Sequence, residues 1–167
     1  MKLRNMTRCG VLTGVLAVCA WLSLPLGDQA VSLQTFAVFL TLGLLGGKLG
    51  TATMAVYLLL GAVGLPVFSG FRGGIGVLLG PTGGYLWGFA FACLLYWSLE
   101  NRLRSWVGMV LGMLLCYACG TVWYYFLYAR SALLPVIGIC VVPYLLPDAV
   151  KILLAATLSK RLKQFVR

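Results

Sequence analysis

The sequence predicts an all-α integral membrane protein of six spans with both termini in the cytoplasm, and three observations carry that prediction. Of its 167 residues 62% are hydrophobic and 10% charged, with a mean hydropathy of +1.01, far from the balance of a soluble domain. The few charges mark off uncharged stretches at 9–27, 29–47, 49–71, 73–99, 105–129 and 131–147. Each is near or above the roughly 17–20 residues that cross a bilayer as a helix. The charges also sort by side. With both ends in the cytoplasm, Lys2, Arg4, Arg8, Lys48, Arg102, Arg104, Lys160, Arg161, Lys163 and Arg167 all fall inside, and only Arg72 and Arg130 fall in outer loops. This positive-inside bias requires an even number of spans, and six satisfies it.

Helices are the expected element because unpaired backbone amides are too costly in hydrocarbon for open strands. A barrel is excluded by runs such as VYLLLGAVGLP at 56–66, which do not alternate polar with apolar. The net charge of +10 therefore reports topology and lipid contact, not nucleic-acid binding. The basic start followed by an apolar run is like a signal peptide, and Leu16 to Cys19 is like a lipoprotein cleavage site. Five more apolar segments follow, however, and Val18 stands where such a site wants a small residue, so the first segment is expected to be a retained helix.

The first helix is expected from about Arg8 to Leu24, closed by Pro25 and a short outer loop at Gly27 and Asp28. On it Gly10 with Gly14, and Thr13 with Ala17, set small residues one turn apart, a spacing that lets another helix approach closely. Packing inside the protein and docking of a partner are both open readings of that face. A second helix follows from about Leu33 to Leu45, turns at Gly46-Gly47-Lys48, and a third returns from Thr51 to Val63. The fourth runs from about Pro81 to Trp97 and the fifth from Trp106 to Tyr128. Residues 131–146 hold Pro135, Gly138 and Pro143, which predicts a partly helical outer connection. A sixth helix is expected to begin at Pro147 and end in the basic tail from Lys160. No linker or second domain is visible, so residues 1–167 are read as a single unit.

Ten of the 21 glycines lie between Gly61 and Gly88. Irregular backbone at membrane depth is tolerated only when buried in protein or lining a cavity, so this segment is expected to cover a pocket. Asp148 and Lys151, three residues apart on the last helix, share a face inside apolar sequence. Ionisable groups in a span are costly and usually functional. With the helix starting at Pro147 the pair falls in its first turn, where unpaired N–H groups add to the attraction for a polar solute. A mutually neutralised structural pair is the alternative. Arg72, followed by Gly73 and Gly74, is the one charge of the glycine-rich loop, a clamp for an anion or an exposed arginine. Gln34 and Thr35 open the second helix as hydrogen-bonding groups or as a cap. Trp123, Tyr124, Tyr125 and Tyr128 read as an interfacial belt.

Several chemistries are excluded. There is no histidine for a triad, metal site or proton relay. Cys116 and Cys119 have CxxC spacing but lie mid-helix without a second pair, and are read as packing residues. The nearest approach to a phosphate loop, Gly43 to Lys48, has the wrong spacing and is followed by Leu49. No cofactor, metal or enzymatic centre is expected, and a partner or ion gradient must drive any uphill transport.

The segment LPVFSGFRGGIGVLLGPTGGYLWGF at 65–89 resembles the signature of the BioY proteins, with SLQTFAVFL at 32–40 and PYLLPDAVKILLAA at 143–156 following the same order. The resemblance implies a biotin-binding S component of an energy-coupling factor (ECF) transporter in the bacterial cytoplasmic membrane. Such a subunit works with a transmembrane coupling protein and two ATPases. It places Asp148 and Lys151 on the family's acidic and basic positions of the last helix. The expected roles are Asp148 on the ureido N–H, walls including Tyr85 on the bicyclic ring, and Lys151 or Arg72 on the carboxylate. An S component for another vitamin or small organic acid is the alternative. Leu146-Pro147 stands where Pro-Gly is expected, so the start of that helix is the place to look for a difference.

Overall fold

The computed structural model describes residues 3–26, 29–129, 136–138 and 141–166. Lys2, Gly27, Asp28, Arg130, Cys140, Arg167 and much of the connection expected at 131–146 lie outside the described residues. The elements run α1 (Leu3–Trp21), β1 (Ser23–Leu26), β2 (Gln29–Ser32), α2 (Gln34–Ala62), α3 (Ile75–Leu78), α4 (Gly83–Leu99), α5 (Ser105–Leu127) and α6 (Val142–Val166).

Two of the six expected helices form a single element with a break in it. α2 is interrupted at Gly46, at φ 79 and ψ 173, a region essentially confined to glycine. Its arms fold back on one another. Gln34 Nε2 lies 3.2 Å from the Tyr57 hydroxyl although 23 residues separate them, where a straight helix would set them roughly 34 Å apart. Leu42 likewise packs on Gly50. The Gly46-Gly47 turn is closed by Glu100, whose Oε2 accepts the Gly47 N–H at 2.8 Å. Counting the two arms separately, the described residues hold six long helical rods, as the charge pattern predicts. α5, at 23 residues and roughly 35 Å, is long and apolar enough to cross a membrane.

Two expectations are corrected. The first helix, expected to reach Leu24, ends at Trp21, and an antiparallel hairpin follows, with Ser23 opposite Ser32 and Leu26 opposite Gln29, so the fold is helical with one small hairpin added. Pro25 is tolerated there because a two-stranded ribbon leaves each strand an edge. The last helix starts at Val142 and carries Pro147 inside it. Asp148 is therefore in its second turn, and the unpaired N–H groups of a first turn do not surround it.

α4 and α5 pack most closely, through bare backbone: a Cβ on Gly88 would fall 3.0 Å from Cys116 Cα. The other rods are arranged around α2, which packs on α1, α4 and α6. Cys9 Sγ reaches the Leu49 carbonyl at 3.8 Å, Ser159 lies against Gly43, and Glu100 meets Gly47. The start of α1, the Gly46 turn, the α4–α5 connection and the end of α6 thus share one end of the bundle. Gln34, Arg72 and Asp148 cluster toward the other end. In a cysteine-free background, Arg102→Cys and Lys160→Cys should react with an impermeant maleimide from one side of the membrane and Arg72→Cys from the other. Labelling of all three from one side would disprove this arrangement.

Candidate functional site

The cavity opens at the end of the bundle opposite the termini and lies between α2, α4, α5, α6 and the glycine-rich loop. The empty space within and in front of it is about 990 Å³, a figure that includes open solvent at the mouth. Apolar walls come from Phe68, Leu86, Phe89 and Met113, and polar groups from Ser32, Gln34, Thr35, Arg72, Asp148 and Lys151.

The loop at 64–82 forms the roof, and each side of the bundle holds it. Tyr57, fully buried, donates its hydroxyl hydrogen to the Val67 carbonyl at 2.8 Å and accepts from Gln34 Nε2. Phe68 tucks its ring over Gly61, where a Cβ would fall 2.0 Å from its Cζ, and meets Tyr57 edge-on at 5.5 Å. From α1, Trp21 Nε1 donates to the Pro66 carbonyl at 2.7 Å, and its ring stacks on Phe71 at 4.8 Å. That stack supports an unusual backbone, since Phe71 is in the left-handed region at φ 56. The tight turn is closed by Phe68 N–H to Arg72 O at 2.9 Å, which sets Arg72 on the rim with its Nε 3.3 Å from Ser69 O. From α5, Trp123 Nε1 donates to Gly80 O at 3.1 Å and the Tyr128 hydroxyl donates to Leu79 O. Of the four aromatics expected as a belt, Trp123 and Tyr128 anchor this loop.

On α6, Asp148 and Lys151 are both buried, with Lys151 Nζ 2.8 Å from Asp148 Oδ1. Neither relies on the other alone. Lys151 Nζ also donates to the Ser32 carbonyl at the end of β2, at 2.7 Å, and the Tyr117 hydroxyl donates to Asp148 Oδ2 at 2.8 Å. Burying two charges is favourable only when further hydrogen bonds support the pair, and each of these groups has one beyond the ion pair, with acceptor capacity left on Asp148. The charged side chains lining the cavity are Arg72, Lys151 and Asp148, two cations against one anion, which leaves one net positive charge.

Of the residues singled out in the sequence, Asp148, Lys151, Gln34, Thr35, Arg72 and Tyr85 all line this cavity. Gly73 and Gly74 do not. They shape the roof: a Cβ on Gly73 would fall 2.2 Å from Leu65 O, and Gly74 at φ 95 donates its N–H to Gly61 O at 2.7 Å. The small-residue face of α1 splits in two. Thr13 and Ala17 are buried, Thr13 bonding to Cys9 O, whereas Gly10 and Gly14 are exposed, and a Cβ added to either would have no neighbour within 4 Å.

Comparison with known proteins places this architecture. The BioY family matches residues 1–167. The chain belongs to the BioY family. It is 39% identical to the biotin transporter BioY of Thermotoga maritima over 168 residues, 97% of each chain. It is 34% identical to the probable biotin transporter BioY of Pyrococcus horikoshii over 164 residues, 98% of each. The crystal structure of the S-component for biotin from an ECF-type ABC transporter matches with a TM-score of 0.86 at 26% identity, covering 98% of this chain and 92% of that one.

In this BioY chain, reading the sequence missed Tyr117, Tyr57, Phe68 and Ser32. Tyr117 and Tyr57 lie in apolar helices without a motif, and only their depth, one hydroxyl in an otherwise hydrocarbon run, marks them. Ser32 acts through its backbone, which no side-chain pattern reports. Tyr57→Phe should release Val67 O and Gln34 together, at about 1 kcal/mol per lost bond. Hydrogen exchange across 64–74 should then rise while α4 and α5 keep wild-type protection, and an unchanged loop would show that Tyr57 does not hold the roof.

Proposed function

We propose that this BioY chain captures biotin with high affinity at the outer face of the bacterial cytoplasmic membrane, as the substrate-binding S component of an ECF transporter, with both termini in the cytoplasm. The observation that carries the reading is the cavity itself: a buried carboxylate with one donor on each oxygen beside apolar walls, and one net positive charge among the described lining residues. Biotin has a ureido group with two N–H donors, an apolar bicyclic ring and a tail ending in one carboxylate. A carboxylate offers about four acceptor sites, and Tyr117 and Lys151 take one on each oxygen of Asp148. Acceptor capacity remains for a ureido N–H. Phe68, Leu86 and Phe89, with Tyr85, supply walls for the ring, and the net cation complements the carboxylate.

Between the two candidate cations the geometry favours Arg72 for the tail. Lys151 spends two of its three protons on Asp148 and Ser32 O, whereas Arg72 is exposed at the rim. Lys151 then acts by holding Asp148. The open Gly10 and Gly14 face of α1 is the proposed seat of the transmembrane coupling protein, which with its ATPases supplies the energy.

Equilibrium binding of labelled biotin to the purified chain tests the capture reading, and absence of saturable binding below micromolar concentration would exclude it in favour of another vitamin or small acid. Asp148→Asn and Lys151→Ala should each weaken biotin at least tenfold, about 1.4 kcal/mol, on folded protein. Biotin and biotin amide should lose affinity equally in Lys151→Ala, and a smaller loss for the amide would move the tail to Lys151. Gly14→Leu should abolish uptake in cells and leave biotin binding near wild type, because the leucine enters open space. Loss of binding instead would assign that face to internal packing.

A further inference from the structure

α5 and α6 touch sparsely, with the cavity between them, and Tyr117 spans that gap to reach Asp148 Oδ2 at 2.8 Å. Both residues are buried and both line the cavity. Lys151, three residues along the same helix, fixes Oδ1 from the other side. A carboxylate turns about two torsions, and a single donor at one oxygen leaves its plane free to rotate about that contact. Donors at both oxygens, arriving from two different helices, set the plane. With the plane set, the unused acceptor directions are fixed relative to the cavity walls.

From this geometry we infer that Tyr117 is a specificity-determining positioning residue, which aims Asp148 at a ring N–H of a cyclic urea. The inference rests on the biotin reading above and adds which part of the ligand Tyr117 controls. Discrimination at the ring nitrogens depends on Tyr117, and discrimination at the tail does not. Its ring packs on the cavity side, so Tyr117→Phe removes one hydroxyl and keeps the wall.

The test is equilibrium binding of four ligands to the full-length chain: biotin, biotin methylated on either ring nitrogen, and biotin amide. In the wild type one methylated form should bind at least tenfold worse than biotin. Tyr117→Phe should weaken biotin about tenfold and shrink that methylation penalty at least threefold, while the ratio of biotin amide to biotin stays as in the wild type. In Asp148→Asn, adding Tyr117→Phe should cause no further loss. That pairwise variant also serves if Tyr117→Phe alone does not fold, since it leaves no carboxylate short of a donor. Wild-type affinity in Tyr117→Phe, an equal loss for all four ligands, or a further loss in the pairwise variant would overturn the inference. If the wild type binds no biotin, the capture reading fails and takes this one with it. If it does bind and Tyr117→Phe behaves as wild type, only the positioning role fails.

Discussion

A carboxylate taken out of water must be surrounded by donors, and in this bundle one carboxylate decides how the cavity end is built. Asp148 draws Lys151 along its own helix and the Tyr117 hydroxyl across from α5, and Lys151 in turn holds the Ser32 carbonyl at the end of the hairpin. One ionised side chain thus ties together α5, α6 and the segment leading into α2. Each link is local and short, and together they define the cavity floor on three sides.

The roof answers a different constraint. Where irregular backbone is buried it must find its hydrogen-bond partners in protein. The carbonyls of Pro66, Val67, Leu79 and Gly80 find theirs in Trp21, Tyr57, Tyr128 and Trp123. Aromatic residues suit this work, because one end packs in the apolar bundle while the other reaches a single polar atom. The glycines serve the same end from the opposite direction, removing side chains where Phe68 and the Leu65 carbonyl must sit. Polar-tipped rings thus supply the partners of the loop's carbonyls from three helices.

Much of this was legible in the sequence. Six rods were expected from the spacing of charges and the described residues hold six, with the start of α1 and the end of α6 at one end of the bundle, as an even number requires. Asp148 and Lys151 stood out because ionisable groups are rare in apolar runs, and the cavity contains both. What was not legible depended on partners distant in the chain. The hairpin at 23–32 had a signal in the Gly27-Asp28 pair between its two segments, but Pro25 was read as the stop of a helix reaching Leu24. Pro147 read as a helix start because proline favours the first turn, yet the helix begins at Val142 and accommodates it. Only its depth in the apolar run sets Tyr117 apart from Tyr124 and Tyr125 of α5, and its partner is not visible until the fold brings Asp148 to 2.8 Å.

The cavity and the open face of α1 are separated in space. The cavity residues gather at one end, on α2, α4, α5, α6 and the roof, whereas Gly10 and Gly14 lie open on the outward face of α1. α1 packs chiefly on α2, and its last residue, Trp21, touches the roof at Pro66 and Phe71. A protein seated on α1 would therefore meet the cavity only indirectly, by two routes. One passes through α2, which carries Gln34, Thr35 and Tyr57, and the other through Trp21 to the turn that presents Arg72. Tyr57 joins them, since its hydroxyl bonds both Gln34 in the cavity and Val67 in the roof. A shift of α1 against α2 would bear on the floor and the roof at once, through contacts that already exist in the resting chain.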